Sequence, residues 1–199
     1  MKHLNVFYDG HGEHRLVGQL AMDGRQPVFQ YHAQWLQQSL PLSPLELPAN
    51  PQLYRGYETN QYGLPGLIAD SLPDAWGQLL LDRMLKEKGC NIDNVSMLDR
   101  LAIVGESGMG ALTYRPEWDM PKQEKLSSLD ELSEQCQKIL NTEYSDKLDE
   151  LYRLGGTSGG ARPKIMTKID GEDWIINGAK QFITRSEERR VGKECLRLC

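Results

Sequence analysis

Four glycines crowd into one short stretch, Gly155-Gly156-Thr157-Ser158-Gly159-Gly160-Ala161-Arg162-Pro163-Lys164, and no regular helix or strand runs comfortably through it. The stretch lies between a helix-like segment and a strand-like one. Without Cβ atoms at those glycines, backbone N–H groups approach an anion closely, while Thr157, Ser158, Arg162 and Lys164 add hydroxyls and positive charge. That is the pattern of a phosphate cradle. It lacks the Gly-Lys-Ser/Thr ending of a Walker A loop and precedes a strand instead of opening a helix, which separates it from Walker A and Rossmann loops. A glycine loop laid over phosphates beside strands is the kinase arrangement. The plain alternative is a connector that binds nothing.

Length allows one core, or one core with a satellite lobe: the chain has 199 residues, 39% of them hydrophobic and 26% charged. The formal net charge of −5 argues against general nucleic-acid binding, which needs a basic face. No apolar run reaches the ~18 residues that span a bilayer, and the polar start Met1-Lys2-His3 does not resemble a signal peptide. A cytoplasmic location without membrane contact is expected. Cys90, Cys136, Cys195 and Cys199 form no CxxC pair, so a disulfide framework is not expected, and Cys136 falls on an apolar helix face. His11 and His14 flank a turn and lack a third ligand in view, so no metal site is expected there.

Strands come first. Leu4 to Tyr8, Arg15 to Met22 and Pro27 to Tyr31 read as an antiparallel meander, with turns signalled at Asp9-Gly10 and Asp23-Gly24. Pro41, Pro44, Pro48 and Pro51 make residues 40–57 a long loop. Ser71-Leu72-Pro73-Asp74 reads as a capping box opening a helix that closes at Gly89, with Leu72, Trp76, Leu79, Leu80 and Met84 on its buried face. A shorter helix runs from Ser96 to Gly105, and Leu112-Thr113-Tyr114 returns as a strand. Past a polar linker at 116–127, Ser128 caps a helix whose apolar face carries Leu129, Leu132, Cys136, Ile139 and Leu140. Another helix near 146–154 delivers the chain into the glycine loop, and a hairpin is expected over 165–176.

The run from Leu154 to Lys164 resembles the signature loop of the HipA family of serine/threonine-kinase toxins. Gly63-Leu64-Pro65-Gly66-Leu67-Ile68-Ala69-Asp70-Ser71-Leu72-Pro73-Asp74-Ala75-Trp76-Gly77 is similar to the same family's N-terminal region. So is Leu98-Asp99-Arg100-Leu101-Ala102-Ile103-Val104-Gly105-Glu106, with Met109-Gly110-Ala111-Leu112. The resemblance spans about residues 1–176. It implies an α+β fold: a small antiparallel β-rich N-terminal subdomain with packed helices over 1–115, then the start of a protein-kinase-like nucleotide lobe over 128–176. It implies ATP and Mg²⁺ as cofactors of the intact parent, with Thr157, Ser158, Gly159, Gly160, Ala161, Arg162 and Lys164 at the nucleotide. It also implies a protein substrate such as an aminoacyl-tRNA synthetase, and a helix-turn-helix antitoxin as partner. In some members a loop hydroxyl is itself phosphorylated, which makes Thr157 and Ser158 the candidates here.

The family's phosphate-holding lysine is expected just after Trp174-Ile175-Ile176, where Asn177 stands, and Lys180 comes three positions late. No segment is left for the catalytic lobe, so this chain is expected to be an inactive N-terminal fragment, with no catalytic residue assigned. The other reading is a stand-alone binding module that docks on a kinase core or an antitoxin. Trp174 to Thr184 is also similar to a strand segment of acyl-CoA dehydrogenases, leaving coincidence or a chimeric join open, and 177–184 is unassigned. Residues 185–199 resemble translated sequencing-adapter DNA and are expected to be a non-native tail.

Overall fold

The computed structural model describes residues 3–38, 41–58, 62–118 and 127–165. The hairpin expected over 165–176, Lys180 and the 185–199 tail lie outside them, apart from Ile165. Strands β1 (His3–Gly10), β2 (Glu13–Asp23) and β3 (Gln26–Tyr31) form the expected meander. The first turn is not at Asp9-Gly10: those residues continue β1, and the reversal falls on His11-Gly12, with φ of 57° and 78°. Positive φ at both central residues is what a two-residue hairpin with the right twist demands. A register shift between Val6 and Phe7 inserts one extra residue in β2, which turns Val17 inward.

Two short edge strands complete the sheet, β4 (Leu53–Tyr54) beside β3 and β5 (Leu112–Arg115) beside β1, giving the order β4-β3-β2-β1-β5. All pairings are antiparallel. Alternation sends Leu4, Val6, Phe29, Tyr31, Leu112 and Tyr114 to one face. That face is covered by helices α1 (Ala33–Gln38) and α2 (Gly66–Ala69), neither expected from sequence, and by the Pro-rich loop through Leu47. An α+β class results.

Helix α3 spans Ala75–Glu87, not the stretch from Ser71. Pro73 disfavours helical backbone at Leu72, and Asp74 takes the cap position. Ser71 instead receives the buried Tyr114 hydroxyl at 2.7 Å. The C-terminus ends as read: Gly89 donates to the Lys86 carbonyl and Cys90 to that of Leu85, a Schellman closure. Helix α4 (Met97–Val104) carries a full capping box, in which the Ser96 side chain accepts from the Asp99 amide and Asp99 accepts from the Ser96 amide.

Helices α5 (Leu129–Leu140) and α6 (Leu148–Gly155) pack with α3 and Ile103 of α4 into a second core. Leu132, Cys136 and Ile139 are buried on α5 as expected, and burial pushes the Cys136 thiol up to about 11. Leu129 and Leu140 are exposed instead, at 67% and 46%. Leu129 is the first helical residue, beyond the packed stripe, and Leu140 turns about 100° past Ile139. No helix among the described residues is long and apolar enough to cross a membrane.

Candidate functional site

The glycine loop leaves α6 at Gly155, and its course is set by three anchors. Thr157 Oγ1 donates to the Ser107 carbonyl at 2.9 Å, fixing the loop against the turn after α4. Ser158 Oγ donates to the Gly155 carbonyl at 2.6 Å and its amide reaches the same oxygen at 3.2 Å, which curls the loop back on its own helix. The third anchor is the first turn of α3. There the Gly160 amide donates to the Asp74 carboxylate, and the Trp76 amide donates to the Gly160 carbonyl at 3.2 Å.

Two glycines make this course possible. Gly159 and Gly160 sit at φ of +76° and +85°, in the left-handed region that side chains disfavour. Close approach then matters at Gly77, where a Cβ would come 1.7 Å from the Gly156 carbonyl oxygen. A glycine inside a helical pattern is a signal of such an approach. That signal was present at Gly77. The partner residues Asp74, Trp76 and Ser107 carried none, since they stand far from the loop in sequence.

The predicted site residues are therefore brought together, but not all in the same role. Lys164 Nζ lies beside Gly160, within 2.9 Å of where a Cβ there would be. Gly160, Ala161, Arg162 and Lys164 are exposed, while Thr157, Ser158 and Gly159 are half-buried. Amides, hydroxyls and a lysine ammonium are the donor set a phosphate takes. Against that stands Asp74, an acidic acceptor already on the Gly160 amide. Both hydroxyls are turned onto backbone carbonyls.

A buried polar pair supports the helices beneath the loop. Arg100, on α4, reaches Asp82 of α3 at 2.9 Å, with the Arg100 side chain 8% exposed. Burial raises the Tyr152 hydroxyl well above its ordinary range, with the nearby Arg100 charge pulling it partly back. Glu150, fully buried at the start of α6, accepts from the Ser127 amide at 2.7 Å and hydroxyl at 2.8 Å. Arg100 and Asp82 join α4 to α3, Glu150 ties the start of α6 to the residue before the Ser128 cap of α5, and α3 and α6 both contact the loop.

On the sheet, His14 Nδ1 pairs with Asp9, which also accepts from Thr113 Oγ1 at 2.6 Å. Among the described residues no three His, Cys, Asp or Glu side chains gather to hold a metal ion.

No match to the chain was found among curated proteins or among solved structures. One family model does match, described as the HipA N-terminal domain, over residues 4–115, which is more than half of the 199. The matched span runs from the second residue of β1 to the last of β5, so it takes in the whole sheet with α1 to α4, Asp74 included. This chain belongs to the HipA N-terminal domain family.

Proposed function

We propose that the chain works as the N-terminal part of a HipA-type serine/threonine protein kinase in a toxin–antitoxin system, with the 155–164 loop taking the phosphates of ATP. The observation that carries the reading is a glycine loop with two left-handed glycines, held within one compact unit by helix α3 of the family's own domain. The loop's amides and Lys164 would hold phosphate oxygens. ATP would supply the phosphoryl group, with Mg²⁺ carried on its phosphates. The protein substrate would be of the aminoacyl-tRNA synthetase kind, and a helix-turn-helix antitoxin would be the restraining partner. Thr157 and Ser158 are the candidate phosphorylation sites. A phosphate on either would place a charge of about −1.5 to −2 where the nucleotide's own phosphates belong.

Calorimetric titration of the full chain with ATP and Mg²⁺ tests the reading. Gly159→Val and Gly160→Val put β-branched side chains at positive φ and are expected to weaken binding by about tenfold or more. Absence of binding by the parent chain, or unchanged affinity in both variants, would overturn it.

A further inference from the structure

The Gly160 peptide is engaged at both ends by the first turn of α3, in a reciprocal exchange that crosses more than eighty residues of chain. Its N–H donates to the Asp74 carboxylate, and its C=O accepts from the Trp76 N–H. A capping residue ordinarily turns its side chain onto its own helix, at the second or third amide. Asp74 makes no such bond within α3. Its carboxylate faces outward onto the loop instead, and the Gly160 carbonyl serves one of the helix's open amides in its place.

We propose that Asp74 is a built-in competitor for the anion that the glycine loop receives, so that phosphate binds only when Asp74 is displaced from the Gly160 amide. This rests on the phosphate-binding reading above. An ionised carboxylate oxygen accepts from a backbone N–H in the same way as a phosphate oxygen does, and one N–H serves one strong acceptor at a time. Asp74 Oδ2 also lies 3.5 Å from where a Cβ on Gly159 would be, so the charge stands over both left-handed glycines. An incoming phosphate meets an occupied amide and a like charge. When it succeeds, Gly160 leaves the α3 terminus and the Trp76 amide loses its acceptor. Trp76 belongs to the helical core, so occupancy of the loop and the order of the α3 start are linked, and linkage acts in both directions.

The experiment uses the full chain with two variants. Asp74→Asn keeps shape and an acceptor oxygen while removing the charge; Asp74→Ala removes the acceptor. Asp70→Asn serves as a control, since Asp70 is exposed at the end of α2 and removes equal charge. Exchange of the Gly160 amide proton is followed by NMR without ligand, and affinities for ATP and for inorganic pyrophosphate are measured by calorimetry. The expected result is Gly160 exchange about tenfold faster in Asp74→Ala, and both anions bound about tenfold tighter by Asp74→Asn than by the parent or by Asp70→Asn. Unchanged Gly160 exchange in Asp74→Ala overturns the latch. Equal anion affinity in the parent and Asp74→Asn overturns the competition while leaving the phosphate-binding reading intact. Should no form bind either anion, while Gly160 exchange does respond, the phosphate-binding reading itself falls and takes the competition with it.

Discussion

The sheet-side core and the helical core both bury tyrosines, but they treat the hydroxyls differently. Beneath the sheet, Tyr31 donates to the Leu47 carbonyl at 2.8 Å, Tyr57 to that of Glu46 at 2.7 Å and Tyr114 to Ser71 at 2.7 Å. Among the helices, the Tyr152 hydroxyl, Gln135 Oε1 and Arg100 Nε are buried without a hydrogen-bond partner among the described residues. Each such atom carries an uncompensated desolvation cost of about 1–3 kcal/mol. The sheet core leaves one such atom, Trp35 Nε1, against those three among the helices, so the helical core, on which the glycine loop rests, is the less satisfied of the two among the described residues. A region with a smaller margin is the one a bound ligand can most readily reorganise.

The sharpest way to break that contrast is at the contact between helix and loop. Gly77→Val forces a side chain onto the Gly156 carbonyl, a backbone atom that cannot swing away. The expected cost is about 3 kcal/mol, at the upper end of the overpacking range, because α3 and the loop must separate. Chemical denaturation measures it. Exchange protection along α6 should fall with it while β1 and β2 keep theirs. Equal loss of protection in the sheet would mean that the two cores are one cooperative unit.

How far the sequence alone reached follows the same division. The meander and the helix caps at Ser96 and Ser128 rest on local chemistry, alternation and serine side chains within three residues of their partners, and they were legible. Ser71 misled because a serine three residues before an aspartate is a cap only if the backbone between is helical, and Pro73 prevents that. Helices α1 and α2 are six and four residues long, too short for periodicity to register. The glycine loop announced itself, yet its contact with Asp74, through the Gly160 amide, joins residues that no local window contains. Sequence singled out the glycine loop and missed the carboxylate that lies against it.

A gentler pair of substitutions tests the hydroxyls directly. Tyr114→Phe leaves the buried end of Ser71 without its donor and should cost about 1–2 kcal/mol. Tyr152→Phe removes a hydroxyl without a partner among the described residues, so stability should stay level or rise by up to about 1 kcal/mol. Thermal melts of both variants suffice. A loss in Tyr152→Phe equal to that in Tyr114→Phe would mean that the helical core is as fully satisfied as the sheet core.

The two serine caps extend the comparison from cores to helix ends. Ser96 takes part in a reciprocal box, with its hydroxyl also donating to Asp99 at 2.6 Å, whereas Ser128 accepts a single amide, that of Glu131 at 3.2 Å. Loss of a cap costs about 0.5–2 kcal/mol. Ser96→Ala should therefore lie near the top of that range, and Ser128→Ala near the bottom. A reversed order would show that burial around α5 outweighs the extra bond at α4.

The smallest effect expected is a pH dependence that belongs to the sheet side. Hydrogen bonds from Thr113 and from His14 hold the Asp9 carboxyl below its ordinary value of 3.8. A carboxyl whose folded pKa lies below its unfolded one contributes stability that is complete above the unfolded value and is lost as pH falls through the folded one. Asp9 sits at the rim of the β1–β2 hairpin with its side chain 31% exposed, so solvent screens much of the gain. Melting temperature should thus decline on acidification below about pH 4, and Asp9→Asn should flatten only part of that decline. Thr113→Val, which removes the leading donor, should reproduce most of what Asp9→Asn does. If the acid limb keeps its full slope in both variants, the carboxylates that govern it lie outside the hairpin, and the helical side, with the buried Glu150 at the head of α6, becomes the place to look.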